Sequence, residues 1–338
     1  MIASKLSAQG ITLPVAQVYG FTSRSVDRYH PAVEILTLQP KFYPPIEMDL
    51  NLVMHKAYRG QSRITRLGNL LKKSRSLSLG SGTYVDMRFF SPDNWAHNIF
   101  YHTPLAIEIQ KAIGEKLTII LPTGLNKNIY ELYELLDLDF IATDMDVEGR
   151  IVSFDESKVE IATLGRRLWI DEQIVKLHHE IAKRNDTGYF SEKIFVNRRD
   201  TRKLKNGDVQ MILKEQGFSE VFLEDYSAAE QIAIVSSATC IVGIHGAGLA
   251  PILYSGTSGK RKLLVGLMPA LQVTSGFRLL CHQCNMSWVG VRGKVEPSHT
   301  KYLYDKRLPP PKTSYMDFEI CPASLLMALE EMPSSEAG

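Results

Sequence analysis

The stretch Thr239-Cys240-Ile241-Val242-Gly243-Ile244-His245-Gly246-Ala247-Gly248 decides how this chain is read. An apolar, β-favouring run breaks abruptly into glycines, the pattern of a strand ending where a helix begins. Glycines there let backbone N–H groups approach an anion, and a helix N-terminus adds positive potential. A plain strand–helix turn, which any α/β protein needs, is the other reading. The flanks carry the same rhythm. Lys193–Val196 reads as a strand, and Asn206 can cap a helix with Val209, Ile212 and Leu213 on one face, ended by Gly217. Phe218–Leu223 reads as a strand, and Ser227 to Glu230 has capping-box spacing for the helix before Thr239. Lys262–Leu267 is the next strand. Upstream, strands at Leu117–Leu121 and Asp139–Thr143 enclose a helix from Asn126 to Leu136. Strands alternating with helices predict an α/β protein with parallel sheets. A polar stretch at Asn185–Gly188 marks a boundary. Residues 1–187 and 188–338 then form two Rossmann-like domains facing a ligand cleft, the second ending in a C-terminal tail. Periodicity defines few elements in the first ~80 residues, and a helical segment is expected near Trp169–Lys183.

Composition agrees with two folded domains: 338 residues, 44% hydrophobic and 22% charged, which excludes a disordered chain. A net charge of +2 predicts no surface for a polyanion, so nucleic acid is not an expected partner. Four cysteines make no disulfide framework and suit a reducing compartment. No apolar run nears the ~18 residues needed to span a bilayer. Met1–Gly20 lacks the basic-then-apolar layout of a signal peptide, so a cytoplasmic location is expected.

Three ligand readings of the glycine turn can be compared. The dinucleotide fingerprint needs G-x-G-x-x-G and an acid ending the next strand. Here the glycines fall at 243, 246 and 248, and that strand ends Val265-Gly266-Leu267-Met268. A P-loop at Gly256–Lys260 fails because Tyr254 stands at its first glycine and Arg261 at its Ser/Thr. Phosphate held by the turn and nearby cations remains. Arg198, Arg199 and Arg202 follow the first strand of the same half, where such sheets bind ligands. Guanidinium forks suit phosphate, although arginine runs also occur as plain solvated surface.

These residues carry a resemblance. Asn197-Arg198-Arg199-Asp200-Thr201-Arg202, the helix from Asn206, Ser227 to Ile232, and above all Gly243 to Leu249 resemble glycosyltransferase family 61. The likeness runs from about Ile194 to Val291. An upstream echo lies in Asn94-Trp95-Ala96-His97-Asn98, followed by Pro104-Leu105. The resemblance implies a GT-B arrangement, with the donor nucleotide on the C-terminal domain and the acceptor on the N-terminal one. It also implies sugar transfer from a nucleotide-activated donor to a saccharide acceptor, with inversion, without a required metal and without a cofactor. Gly266 stands where the family carries an acid, and Ala250-Pro251 where it carries a polar pair.

On this reading Arg198, Arg199, Arg202, Glu230, His245, Gly246, Ala247 and Gly248 bind the donor. Glu230 is also a capping-box acid by its spacing. His97 is the candidate general base, because an unperturbed imidazole titrates near neutrality. A helix histidine bonded to backbone is its alternative. Asp93 and Asp86 are rival bases. Cys281-His282-Gln283-Cys284 is half a zinc site without a second half, so no metal is expected. Lys56 to Arg75 carries seven basic residues with Ile64, Leu67 and Leu71 at helical spacing. Such a helix either packs as a solvated face or lies on anionic lipid, which would suit a lipid-linked acceptor. A non-catalytic nucleotide- or glycan-binding protein, and another phosphate-handling α/β enzyme, are the competing functional readings.

Overall fold

A computed structural model of the chain describes residues 2–8, 10–26, 28–56, 76–158, 177, 181, 191–255, 262–270, 275–295 and 315–332. Its strands, in chain order, are β1 (Ile2–Ala8), β2 (Ile11–Leu13), β3 (Ala16–Val26), β4 (Arg28–Leu38), β5 (Lys41–Tyr43), β6 (Ile46–Lys56) and β7 (Ser76–Asp86). They continue with β8 (Leu117–Leu121), β9 (Asp139–Ala142), β10 (Asp146–Ser153), β11 (Lys193–Val196), β12 (Ser219–Val221), β13 (Cys240–Ile244), β14 (Lys262–Met268) and β15 (Met286–Arg292). The longer helices are α1 (Thr103–Ile113), α2 (Lys127–Leu135), α3 (Gly207–Glu215), α4 (Ala228–Ser237), α5 (Gly276–Gln283) and α6 (Pro322–Leu329). The protein is a mixed α/β chain with parallel sheets.

It divides into two compact units. The first comprises residues 1–11, 42–186 and 227–229, the second residues 12–41, 187–226 and 230–338. A single division at 187 therefore misplaces residues 12–41, which are built into the second unit. There β3 runs parallel to β15, pairing Val18 with Gly290 and Tyr19 with Val291. Arg278 of α5 donates Nη2 to the carbonyls of Pro14 and Gln39, and Ser324 of α6 donates to that of Gly20 at 3.2 Å. Sequence periodicity around Ala16 is local, whereas these partners lie hundreds of residues away.

The first unit holds a sheet ordered β1-β6-β10-β7-β8-β9. Strands β10, β7, β8 and β9 are parallel, while β1 and β10 flank β6 antiparallel. It is thus not purely parallel, a correction to the Rossmann-like expectation for this half. The β6 sequence Ile46-Glu47-Met48-Asp49-Leu50 alternates: Met48 and Leu50 are buried, Glu47 and Asp49 exposed. In α2, Ile129, Leu132 and Tyr133 face the core, and Asn126 accepts the Asn128 N–H at 2.9 Å as its cap.

The second unit is a seven-stranded sheet ordered β12-β11-β13-β14-β15-β3-β4. All neighbours from β12 to β3 are parallel, and β4 closes the edge antiparallel. Val242, Val265, Leu267, Val289 and Val291 build its core with Val209, Leu213, Leu325 and Leu329 from the helices. Each such side chain contributes about 1.5–3 kcal/mol by leaving water. From β11 the chain steps outward through α3 to β12, then returns through α4 to β13 on the other side of β11. The order reverses between β11 and β13, and open α/β sheets bind ligands beyond the carboxyl ends of strands at that point.

The expected helix near Trp169–Lys183 lies outside the described residues except Leu177 and Ile181, both helical and buried. Asn206 stands at the N-cap position of α3 but does not cap it. Its side chain instead donates to the Ile320 carbonyl at 2.9 Å and accepts the Ile320 N–H at 3.2 Å.

Candidate functional site: a cation pair at the strand reversal

Arg198 and Arg202 follow β11, and His245-Gly246 follow β13, so the reversal of strand order brings them together. Arg202 takes a left-handed backbone conformation, φ +63°. Its Nη1 donates to the His245 carbonyl at 2.7 Å. The guanidinium of Arg198 lies against the Cα of Gly246. A Cβ there would overlap Arg198 Nη1 and sit 3.1 Å from Arg202 Nη1. Glycine at 246 is thus required by the approach of two guanidiniums. Neither has a carboxylate partner among the described residues, and the Arg202 Nε is buried without an acceptor. Burial first, and the charge of Arg198 second, pull Arg202 below its ordinary value. Beyond Gly246 a 3-10 helix runs Ala247–Tyr254, tighter than the α-helix the turn suggested. Its first amides, Ala247 and Gly248, have no earlier helical carbonyl to pair with.

His245 packs edge-on against Phe277, ring centroids 4.9 Å apart. Loss of water, then Arg202 and Arg198, push its imidazole down to about 4, so it is neutral at neutral pH and adds no charge to the cradle. In the first unit, burial pushes His102 down to about 3, with the charge of His97 as a smaller cause. Unfolding restores both rings to water, where they bind protons near 6.5. The unfolded state therefore takes up more protons below that pH. The stability that these neutral rings contribute is complete above pH 6.5 and declines as pH falls toward 4 and then 3. The melting temperature is expected to drop across pH 6.5–4, and less steeply in a His245→Asn variant. Melting curves at fixed ionic strength check this; parallel slopes in parent and variant would refute the His245 part.

Arg199 belongs elsewhere. It holds Asp225 through both Nη atoms, at 2.5 and 2.7 Å, and its guanidinium lies 4.0 Å from the Phe222 ring centroid. Its charge is already answered. Arg199→Ala should leave both the melting temperature and diphosphate affinity close to those of the parent, because an exposed pair contributes little. Calorimetry with inorganic diphosphate is the check, and a tenfold loss would return Arg199 to the site.

Glu230 lies in the first turn of α4, half-buried. The N–H of Ala228, just before it, is taken at 2.8 Å by Glu131. Gly266 lies in register between Gly243 and Gly290. A Cβ on Gly266 would stand 3.2 Å from Trp288 Nε1, so the indole occupies the room an acid would use. That indole N–H is itself buried without an acceptor. Ala250 and Pro251 are buried.

The candidate bases sit in the first unit. Asn94 caps a helical turn, Trp95–His97, and the run continues as a π-helix, Asn98–His102, into α1. Asn98 is fully buried. Its Nδ2 donates to the carbonyls of Pro92 and Asn94, and its Oδ1 accepts from Tyr133. This pins the turn on which His97 stands. His97 Nδ1 lies 2.8 Å from the Phe90 carbonyl, and its ring stacks on Phe90 at 4.6 Å. A carbonyl only accepts, so Nδ1 carries the hydrogen and the lone pair of the neutral ring is on Nε2. Phe90 and Ser91 both take left-handed backbone angles, φ +49° and +51°, costing about 1–3 kcal/mol each. Sequence reading gave no hint of this carbonyl. Asp93 is exposed in the preceding turn. Asp86 is removed from contention: it is buried and grips Arg88 through both oxygens, at 2.8–3.0 Å.

Among the described residues no three His, Cys, Asp or Glu side chains cluster as a metal site. Burial pushes the Cys281 thiol well up, and Cys284 donates to the Ile252 carbonyl at 3.4 Å. Of the basic stretch, Lys56 pairs with Glu156 at 2.8 Å, and residues 57–75 lie outside the described residues. No helix among the described residues is long and apolar enough to cross a membrane.

Both units carry parallel strands, and arginines gather at the strand reversal of the second. The chain belongs to glycosyltransferase family 61: the family model described as Glycosyltransferase 61 matches residues 92–260, half of the sequence. Glycosyl transfer, with a sugar donor and an acceptor, is thereby its class of reaction. The matched span holds both the His97 turn and the cation pair. No curated protein matches the chain. Among solved structures, a family 9 glycosyl transferase from Veillonella parvula DSM 2008 aligns at 10% identity. The alignment covers 77% of this chain and 99% of that one, with a TM-score of 0.37, too low to bear on fold or function.

Proposed function

We propose that the chain is an inverting, metal-independent glycosyltransferase of GT-B type, moving a sugar from a nucleotide-activated donor to a saccharide acceptor. The observation that carries this reading is the pair Arg198–Arg202, converging on Gly246 with no carboxylate among the described residues to answer either charge. A leaving diphosphate would answer both. Guanidinium forks and the amides of Ala247 and Gly248 suit the negative charge that grows on its bridging oxygen as the glycosidic bond breaks. His97 Nε2 takes the acceptor hydroxyl proton while that oxygen attacks the anomeric carbon from the opposite face. The bond to the diphosphate breaks and its electron pair leaves with the diphosphate. Asp93 is the alternative base. A cytoplasmic enzyme working on a lipid-linked acceptor, with the Lys56–Arg75 stretch at the membrane surface, is the setting we infer.

Thermal shift against uridine, guanosine and cytidine diphosphates tests donor binding, since a ligand favouring the native state raises the melting temperature. Sugar transfer in excess chelator tests metal independence. Binding of a nucleoside diphosphate without transfer or donor hydrolysis would instead favour a non-catalytic binding protein.

A further inference from the structure

We propose that Tyr315, in the C-terminal segment beyond the family-matched residues, is the platform on which the planar base of the donor nucleotide stacks. This rests on the nucleotide reading above and adds to it the subsite for the nucleoside. The segment is fastened to the cation site itself. Lys203 N–H donates to Asp317 Oδ1 at 2.9 Å, Phe318 N–H to the Lys203 carbonyl at 3.0 Å, and Lys205 N–H to the Phe318 carbonyl at 2.9 Å. Asn206 brackets Ile320, and Phe318 and Ile320 are buried. The strap thus runs along the chain immediately after Arg202, and Tyr315 stands at its near end.

The Tyr315 ring centroid lies 5.3 Å from the Arg202 guanidinium carbon, while 59% of the residue is exposed. A guanidinium lies beside the ring at the site, and the residue is still mainly exposed. Phe222 makes the contrast: it lies on Arg199, whose charge Asp225 already answers. Tyr315 instead lies beside a cation that has no carboxylate partner among the described residues. A nucleotide presents an anion with a flat π-face one ribose away, and this site presents cations with an exposed aromatic ring beside them. Stacking on such a ring tolerates any base, because every base has a π-face.

The test is calorimetry on the full chain and on Tyr315→Ala and Tyr315→Phe, with uridine, guanosine and cytidine diphosphates and inorganic diphosphate as probes. Tyr315→Ala should weaken whichever nucleoside diphosphate binds the parent most tightly by about 5- to 150-fold, the range for one lost base–aromatic stack. Inorganic diphosphate should bind within twofold of the parent, and Tyr315→Phe should bind both probes nearly normally. Equal losses for both probes would overturn the proposal, because Tyr315 would then act only by holding Arg202. No loss for either would overturn it as well. A parent that binds inorganic diphosphate but none of the nucleoside diphosphates would fail the nucleotide reading itself.

Discussion

His97→Ala should lower kcat by about 10²–10⁴, the usual cost of losing a general base, with nucleoside diphosphate affinity unchanged. The expectation comes from the tautomer. The Phe90 carbonyl takes the Nδ1 hydrogen, which leaves Nε2 as the atom that accepts a proton. Asn98 fixes the turn from beneath, with bonds to Pro92 and Asn94 on one side and Tyr133 on the other. His97→Asn separates the roles. Its amide can still donate toward Phe90, yet it offers no basic nitrogen, so it should be as slow as the alanine variant. A turnover within threefold of the parent in both variants would end the candidacy of His97. Asp93→Asn would then be the variant to measure.

Arg198→Ala should weaken diphosphate binding by about 1.5–3 kcal/mol, the range for hydrogen bonds to charged groups, or roughly 10- to 150-fold. Gly246→Val should act the same way through geometry. Its Cβ would occupy the place of Arg198 Nη1, and the part that must move is the far end of a flexible side chain, so the fold should survive. The effect should shrink as salt rises, since charges at a partly exposed site are screened. Isothermal titration of each variant with inorganic diphosphate, beside Arg199→Ala, checks this. Parent-like affinity in both Arg198→Ala and Gly246→Val would remove the cradle from the account.

Much of the second unit was legible because its signals are local. Lys193–Val196 and Lys262–Leu267 are compact apolar runs between turn residues, and β11 and β14 occupy them almost residue for residue. The order of those strands was not legible, since it depends on pairings between distant segments. With it went the reason for the site: nothing local says that β11 and β13 become neighbours. Arg198, Arg199 and Arg202 looked equivalent as a run. Asp225, 26 residues further on, claims one of them, and Gly246 gathers the other two. Tyr315 gave no signal at all, because it falls outside every motif and every periodic stretch of the sequence. The sequence reading did not pick out β6, whose partners β1 and β10 lie in segments distant from one another.

The placement of β3 and β4 has a consequence for biosynthesis. Within this sequence the hairpin is synthesised long before β15, the strand it pairs with. At about 5–20 residues per second the hairpin waits on the order of tens of seconds with one edge of β3 unsatisfied. During that interval it is a template for any passing strand, including another nascent copy of itself. A fragment beginning at residue 188 inherits the opposite fault, a β15 edge with nothing to cover it. Recombinant work on the second unit alone would therefore need residues 12–41 supplied with it, joined after the C-terminus or added in trans.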